Sequence, residues 1–511
     1  MKKKVNKIIK YIILILCLVI CFLSIYINRN FNNISFEQLL NTIGNGKGTS
    51  FSAMQEGLIV VGGGTLISLA LVKLVLKLIS KVKPIVLTFK LKNKVITFGI
   101  LKRTNLKDYI LLIIFIIFSI FFSFKLLNIG KFIKNQILTT KLFDEYYIDP
   151  NNVYIEFPEE KQNLIYIFVE SLENSNLTIE NGGTVNKSYT PYLEKTALSN
   201  LNFSNTNEIG GAYPVANTTW TVAAMIAQTS GLPLKVGFDY NNYSGFGESL
   251  PGAVSIGDIL EKNDYKNYLM MGSDASFGGR RDYFTYHGNY EIYDYVYAKE
   301  EGLIPNDYKV WWGYEDSKLF EFAKTKLLEI SKHDEPFNFT LLTADTHFVD
   351  GYLDDICPTE FKSQYANVFN CADIMVVNFV NWIKKQDFYD NTTIVITGDH
   401  LTMQGGFYNI EEGYQRTIYN TFINSKLETT NNKNRIFSTF DMFPTTLASL
   451  GATIENNRLG LGTNLFSDVK TIPEEIGIEK FSNELEKKSK FYNKTILGDT
   501  YYQMKEKVSG N

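Results

Sequence analysis

Three long apolar runs open the chain and constrain its fold more than any other feature. They lie at residues 9–27, 58–79 and 109–127, and each is long enough for a helix to cross a hydrocarbon core of about 30 Å. The rest of the 511-residue chain is long enough for one large globular domain. We therefore expect a transmembrane module of three helices at residues 1–128, followed by a folded domain.

The first run follows Met1 and three lysines, as a secretory signal would. Its apolar core is longer than that of a usual signal, no small-residue cleavage site follows it, and two more runs come after it. We therefore predict that it stays in the chain as a membrane span.

The distribution of basic residues predicts the orientation of these spans. Five lysines lie in the first ten residues and eight basic residues lie at 81–107, whereas the loop between the first two runs has only Arg29 and Lys47. Because lysine and arginine concentrate in cytoplasmic loops, everything after residue 128 should lie outside the cytoplasm. The formal net charge of −3 gives no indication of a nucleic-acid partner, and we expect none.

Beyond the spans, apolar β-rich runs alternate with helical patterns. The alternation predicts an α/β domain whose mostly parallel central sheet is flanked by helices. The predicted strands lie at residues 163–171, 267–273, 337–345 and 391–399. We place a juxtamembrane connector at 129–162, the domain at 163–470 and a polar C-terminal tail at 471–511.

Several predicted strands end in residues that can bind a metal. Glu170 ends the first, His347 follows a later one, and Asp399 and His400 end another. One such carboxylate is usually a helix cap or a solvated loop residue, and a lone histidine is usually structural. Several strand ends of this kind, holding two of only four histidines, indicate a metal site at the carboxyl edge of the sheet. This ligand set suits Mn²⁺, Zn²⁺ or Mg²⁺.

A nucleophile candidate lies in a glycine-rich segment at residues 210–234. The loop runs into NTTWT, where a helical pattern begins, and we place Thr218 at the start of that helix. Free N–H groups and the positive end of the helix dipole favour a bound phosphate there. A threonine in this position can equally be a simple cap, and its hydroxyl becomes a nucleophile only when a metal or base activates it.

The sequence resembles the phosphoglycerol transferases of the alkaline phosphatase superfamily in four segments: IYIFVES, NTTWTVAAM ahead of SGLPL, THFVDGY and ITGDH. That group includes the lipoteichoic acid synthases and the enzymes that modify osmoregulated periplasmic glucans. The glucan branch is the more similar one, in THFVDGYLDDIC, in YANVFNCADIMVVNFV and in LGLGTNLFS (459–467). The resemblance implies an alkaline-phosphatase-like domain on the periplasmic side of a bacterial cytoplasmic membrane.

The resemblance also implies a reaction and a set of site residues. Glycerol phosphate would move from phosphatidylglycerol, through a glycerophospho-threonine at Thr218, to a glycan acceptor of the cell envelope. His347 would exchange a proton with the reacting oxygens and, with Arg280, hold the phosphoglycerol. One divalent metal, Mn²⁺ before Mg²⁺ or Zn²⁺, would be bound by Glu170, Thr218, Asp399 and His400.

Alternatives stay open at this point. Gly278 stands where the lipoteichoic acid synthases carry a tryptophan in SFxxR, which argues against a polymerase, and Arg281 could replace its neighbour Arg280 as the phosphate ligand. A phosphoethanolamine transferase shares the architecture, and an inactive glycan- or lipid-binding sensor would too, whereas a sulfatase signature is missing at 216–222. Cys357 and Cys371 could form a disulfide if the domain lies outside the cytoplasm.

Overall fold

The computed structural model describes residues 2–30, 55, 57–81, 85–91, 94–100, 105–235 and 249–498. The chain forms two compact units, and the boundary between the N-terminal unit and the rest lies between Lys131 and Phe132. The boundary predicted from the sequence, at residue 128, lies three residues earlier.

The N-terminal unit is built from apolar helices. They are α1 (Lys2–Asn30), a π-helical turn (Ile59–Gly63) that continues into α2 (Gly64–Lys81), and α3 (Asn105–Leu126). Two segments, Ile8–Arg29 and Tyr109–Leu126, are long and apolar enough to cross a membrane, while the apolar part of the middle helix is shorter, Ile59–Val75. Three spans therefore stay a prediction. Strands β1 (Ile85–Leu91) and β2 (Lys94–Ile100) form an antiparallel hairpin that the sequence did not predict.

The second unit alternates strands and helices, as predicted. Its strands are β3 (Ile155–Glu156), β4 (Asn163–Val169), β5 (Lys266–Met271), β6 (Glu291–Tyr293), β7 (Phe337–Leu342), β8 (Thr392–Gly398), β9 (Asn420–Ile423), β10 (Thr453–Ile454), β11 (Arg458–Leu459) and β12 (Gly462–Thr463). Its helices are α4 (Ile129–Ile137, which begins in the first unit), α5 (Leu142–Tyr146), α6 (Pro191–Ser199), α7 (Thr221–Ser230), α8 (Ile256–Glu261), α9 (Arg280–Tyr286), α10 (Tyr295–Glu300), α11 (Asp316–Ile330), α12 (Gln364–Ile383), α13 (Met442–Ser449), α14 (Ile472–Ile476) and α15 (Ile478–Glu486).

Six strands form the central sheet, in the order β6-β5-β7-β4-β8-β9. All neighbours are parallel except β8 and β9, which are antiparallel. Every residue of β4 is buried, with Tyr166 and Phe168 in one apolar cluster and Ile165 and Ile167 in another. Because successive side chains of a strand point to opposite faces, the sheet is covered on both sides, and the predicted fold class is confirmed.

The register of the sheet brings three strand ends to one edge. Phe168 of β4 pairs with Leu342 of β7 on one side and with Thr397 of β8 on the other. The residues that follow these three strands therefore emerge next to one another, in the place where open α/β sheets bind ligands.

The predicted connector and tail are both part of the folded domain. Phe143, from the segment predicted as a connector, is buried and lies in an apolar cluster with Phe481, Leu485 and Tyr492 from the segment predicted as a polar tail. Each of these two segments therefore contributes a small number of buried aromatic or aliphatic side chains to the core. The domain consequently continues past residue 470, at least to the described residues near 497.

Candidate active site

Glu170, Asp399 and His400 form one buried cluster at the carboxyl edge of the sheet. One ligand atom from each lies within 4.8 Å of the others. His400 Nε2 is 3.4 Å from Glu170 Oε1 and 3.4 Å from Asp399 Oδ2. The structure therefore brings together three of the four predicted metal ligands.

The hydrogen bonds around this cluster fit a metal. His400 Nδ1 lies 2.8 Å from the carbonyl of Leu401, so Nδ1 carries a proton and Nε2 is the nitrogen that faces the cluster. Asp399 Oδ1 accepts N–H bonds from Ser171 and from His400, each 2.7 Å long. Asp399 Oδ2 is buried without a hydrogen-bond partner among the described residues. A buried carboxylate oxygen in this state is costly, and a divalent cation would satisfy it.

Burial and mutual repulsion set the protonation of this cluster. Burial, and then the neighbouring Glu170, raise the pKa of Asp399 to about 8. Burial also opposes the charge on Glu170, but His400 and His347 outweigh it and hold the pKa of Glu170 below its usual value. In the absence of a cation the site therefore keeps a proton on Asp399 at neutral pH, and a bound cation would have to displace it.

The structure places Thr221, and not Thr218, at this cluster. Thr221 Oγ1 donates to Glu170 Oε2 at 3.2 Å and lies 3.4 Å from His400 Nε2. Thr218 is fully buried, and its hydroxyl donates to the carbonyl of Val215 at 2.8 Å and accepts from the Val215 N–H at 3.2 Å. The structure therefore puts the hydroxyl of Thr221 at the cluster where the sequence predicted Thr218, whose own hydroxyl bonds to Val215 instead.

The start of helix α7 explains this correction. The helix begins at Thr221, after Trp220 in an extended conformation, and Thr218 belongs to the preceding turn. Asn217 in that turn has a φ of 65°, which reverses the chain before the helix. Several threonines in NTTWT can cap a helix, and sequence spacing alone does not fix which one opens it. The strong apolar pattern from Val222 onward was the available signal for the later start.

Arg280 lies at the start of α9, close enough to Glu170 and Asp399 to interact with them electrostatically. It is buried, its Nη2 donates to Asp274 O at 2.9 Å, and its Nε donates to Phe277 O at 3.0 Å. Burial lowers its pKa to about 10, against the attraction of Glu170, so the guanidinium is charged at neutral pH. The neighbouring Arg281 is bonded to Asp294 instead, which favours Arg280 as the anion-binding arginine.

His347 follows β7 and is packed among aromatic rings. Its Nδ1 lies 2.7 Å from the carbonyl of Phe348, so Nε2 is the nitrogen left to accept a proton. Trp312 packs against it with ring centroids 4.5 Å apart, and Phe277 packs on Trp312 at 5.6 Å. Burial lowers the pKa of His347, although Glu170 opposes this, and the imidazole is therefore neutral at pH 7. Sequence reasoning missed Trp312, which comes from a segment with no motif of its own.

A disulfide ties the loop that carries His347 to helix α12. It joins Cys357 to Cys371, the pairing that the sequence left open. The same loop is held at its start by Asp316, which accepts N–H bonds of 2.9 Å from both Ala344 and Asp345. Both ends of the histidine loop are thus fixed to helices that flank the sheet.

The site combines a threonine hydroxyl with three buried residues that could hold a metal ion, at the edge where open α/β sheets bind ligands. The sequence model of the sulfatase family matches residues 162–452, more than half of the chain. The chain therefore belongs to the sulfatase family, which confirms the predicted superfamily.

The curated relatives include phosphoglycerol transferase I of Escherichia coli, which is 30% identical over 270 residues. That alignment covers 51% of this chain and 33% of the relative, so the match spans about a third of the relative's length.

Two of the solved structures that match this chain have TM-scores just below 0.5. The lipoteichoic acid synthase LtaP of Listeria monocytogenes is 21% identical, with a TM-score of 0.49 over 64% of this chain and 82% of that one. The integral membrane phosphoethanolamine transferase EptA of Neisseria meningitidis is 14% identical, with a TM-score of 0.48 over 86% of this chain and 83% of that one.

Proposed function

We propose that this chain is a membrane-anchored phosphoglycerol transferase. It moves glycerol phosphate from phosphatidylglycerol to a glycan of the cell envelope through an intermediate on Thr221. The observation that carries the proposal is the hydroxyl of Thr221 between Glu170 and His400, at the start of a helix. The similarity to phosphoglycerol transferase I supports the choice of transferred group.

In the first step Thr221 Oγ1 forms a bond to phosphorus while the phosphorus–oxygen bond to diacylglycerol breaks. Glu170 accepts the hydroxyl proton through the 3.2 Å hydrogen bond, and that proton ends on the released diacylglycerol oxygen. The charged guanidinium of Arg280 stabilises the phosphoryl oxygens, and the N-terminal N–H groups of α7 favour the same charge.

In the second step a sugar hydroxyl attacks the phosphorus and the bond to Thr221 Oγ1 breaks. His347 Nε2 takes the proton of the attacking hydroxyl, since this nitrogen is unprotonated at neutral pH. That proton ends on Thr221 Oγ1, so both His347 and Thr221 return to their starting states.

Glu170, Asp399, His400 and Thr221 would hold one divalent cation. When bound, it would neutralise charge on the phosphoryl oxygens and lower the pKa of the threonine hydroxyl. Two carboxylates, an imidazole and a hydroxyl suit Mn²⁺, with Mg²⁺ and Zn²⁺ as alternatives.

We infer that the catalytic unit lies outside the cytoplasm, on the periplasmic side. The bias of lysine and arginine in the N-terminal segments supports this orientation. The disulfide between Cys357 and Cys371 supports it independently, because disulfides persist mainly in oxidising compartments.

The proposal is tested with the whole chain in nanodiscs that contain a fluorescent phosphatidylglycerol, in a buffer that contains Mn²⁺. Wild type should release diacylglycerol and carry a phosphoglycerol adduct on the peptide that contains Thr221. Thr221→Val should do neither. The matched control is Thr218→Val, which removes a hydroxyl three residues away and should still release diacylglycerol.

Two outcomes would contradict the proposal. If Thr221→Val releases diacylglycerol and Thr218→Val does not, the nucleophile is Thr218. Turnover of phosphatidylethanolamine with no turnover of phosphatidylglycerol would keep the chemistry but replace the donor.

A further inference from the structure

An exposed apolar face on helix α4 has no partner within the described part of the catalytic unit. Ile133 and Ile137 are 41% and 75% exposed, and Leu138, which directly follows the helix, is 39% exposed. Phe132 and Asn135, on the other side of the helix, are buried. The helix thus packs on one side only, and it presents large aliphatic side chains on the other.

The domain holds this helix in a fixed orientation. Asn135 Nδ2 donates to Glu486 Oε2 at 2.6 Å. The backbone N–H of Lys488 donates to the carbonyls of Asn135 and Leu138 at 3.2 and 3.0 Å. The exposed isoleucines are therefore not the frayed end of a chain, since the C-terminal segment of the domain clamps the last turn of the helix.

Basic residues accompany the apolar face. Lys134 lies on the helix, and three further lysines are exposed on the segments next to it: Lys141, Lys488 and Lys490. The nearby acidic groups Glu484 and Glu486 are turned into the contact, where they accept bonds from Thr140 and Asn135. Two further acidic residues, Asp144 and Glu145, lie in the next helix, α5. Exposed aliphatic side chains bordered by lysines are the pattern of a helix in the interface of an anionic membrane.

We propose that the face formed by Ile133, Ile137 and Leu138 docks the catalytic unit on an anionic bilayer surface. Chain connectivity supports a lipid occupant: the apolar helix α3 ends at Leu126 and α4 begins at Ile129. Because so short a link spans at most about 10 Å, α4 starts close to where α3 would leave the bilayer. Docking would keep the catalytic unit at the surface that supplies the lipid donor, so its purpose rests on the proposed function.

Depth-dependent fluorescence quenching tests the docking without any turnover. A full-length chain with Cys17 and Cys21 changed to alanine receives one fluorescent label, at Ile137→Cys, and is reconstituted in phosphatidylglycerol nanodiscs. The control label is at Ile179→Cys, which is 58% exposed beside Glu180. Brominated acyl chains should quench the label at 137 and leave the label at 179 unchanged. Equal quenching at both positions would overturn the proposal.

Charge and function provide a second test. Replacing phosphatidylglycerol by phosphatidylcholine around the labelled chain should weaken quenching at 137, and the change Lys134→Gln with Lys488→Gln should do the same. Ile133→Asn with Ile137→Asn should lower turnover of a bilayer donor several-fold and leave turnover of a short-chain, water-soluble donor unchanged.

A thermal unfolding curve of the variant Ile133→Asn with Ile137→Asn serves as the control for folding. Wild-type turnover of the bilayer donor by that variant would overturn the docking role. If neither wild type nor variant turns over either donor, the proposed function fails while the quenching result still decides the docking.

Discussion

Removing the hydroxyl of Thr218 should destabilise the protein without stopping transfer. The hydroxyl is fully buried and makes two hydrogen bonds, both to the backbone of Val215. Valine keeps the shape of the side chain, so the change removes these bonds and leaves little cavity. The turn that leads into helix α7 therefore loses its internal support, while Thr221 keeps its contacts.

The size of the effect follows from these contacts. A buried hydrogen bond contributes about 1 kcal/mol net, and a buried donor left without its acceptor costs roughly 1–3 kcal/mol. The Val215 N–H loses its acceptor, whereas the Val215 carbonyl keeps a bond from the Thr218 N–H. We expect Thr218→Val to lower the free energy of unfolding by roughly 2–4 kcal/mol. Thr221→Val should change it by less than about 1 kcal/mol, because Thr221 is only partly buried and its two partners, Glu170 and His400, can bond to each other.

The assay is thermal unfolding of the full-length variants in detergent, without added metal, alongside diacylglycerol release. Thr218→Val should melt clearly below wild type and retain release, and Thr221→Val should melt near wild type and lose it. Equal melting temperatures for the two variants would refute the structural role of Thr218. Loss of release in a folded Thr218→Val protein would refute the assignment of the nucleophile.

Three further predictions concern the metal cluster and the histidine loop. Asp399 has a raised pKa of about 8 in the folded protein, so the metal-free protein should lose stability as pH rises from about 4 towards 8. Mn²⁺ must displace that proton, so its stabilising effect on the melting temperature should grow over the same range, and a constant effect would contradict this. Cys357→Ser with Cys371→Ser opens a loop of 14 residues and should cost roughly 3 kcal/mol of unfolding free energy. Trp312→Ala frees the ring of His347 and should slow transfer about tenfold to a hundredfold, whereas Trp312→Phe keeps the packing and should stay near wild type.

Much of the site could be predicted from the sequence because strand ends are local features. Glu170, Asp399 and His400 each follow a run of buried β-branched or aliphatic residues, and such runs identify a central strand without other information. Parallel strands then bring their carboxyl ends to one edge, so the cluster followed from the order of the elements. His347 also follows a strand, whereas Arg280 was identified by resemblance alone, and both interact electrostatically with Glu170.

The threonine that meets the cluster and the limits of the domain could not be predicted in this way. Thr218 and Thr221 lie in the same capping-prone segment, and the choice between them depends on which turn of the chain packs against Glu170. The segment after residue 470 is polar on average, yet Phe481, Leu485 and Tyr492 are buried. Average polarity indicates how much of a segment faces water, and does not show which few side chains enter the core.

The sequence by itself determined the apolar helices, the alternating α/β order and three residues of the metal cluster. Each of these is written in local periodicity or in residues next to a strand. The tertiary structure alone decided that Thr221 meets the cluster, that Trp312 packs on His347, and that the face of Ile133 and Ile137 stays exposed. These features depend on contacts between segments far apart in the chain, whose distances and orientations are set by the packing of the whole domain.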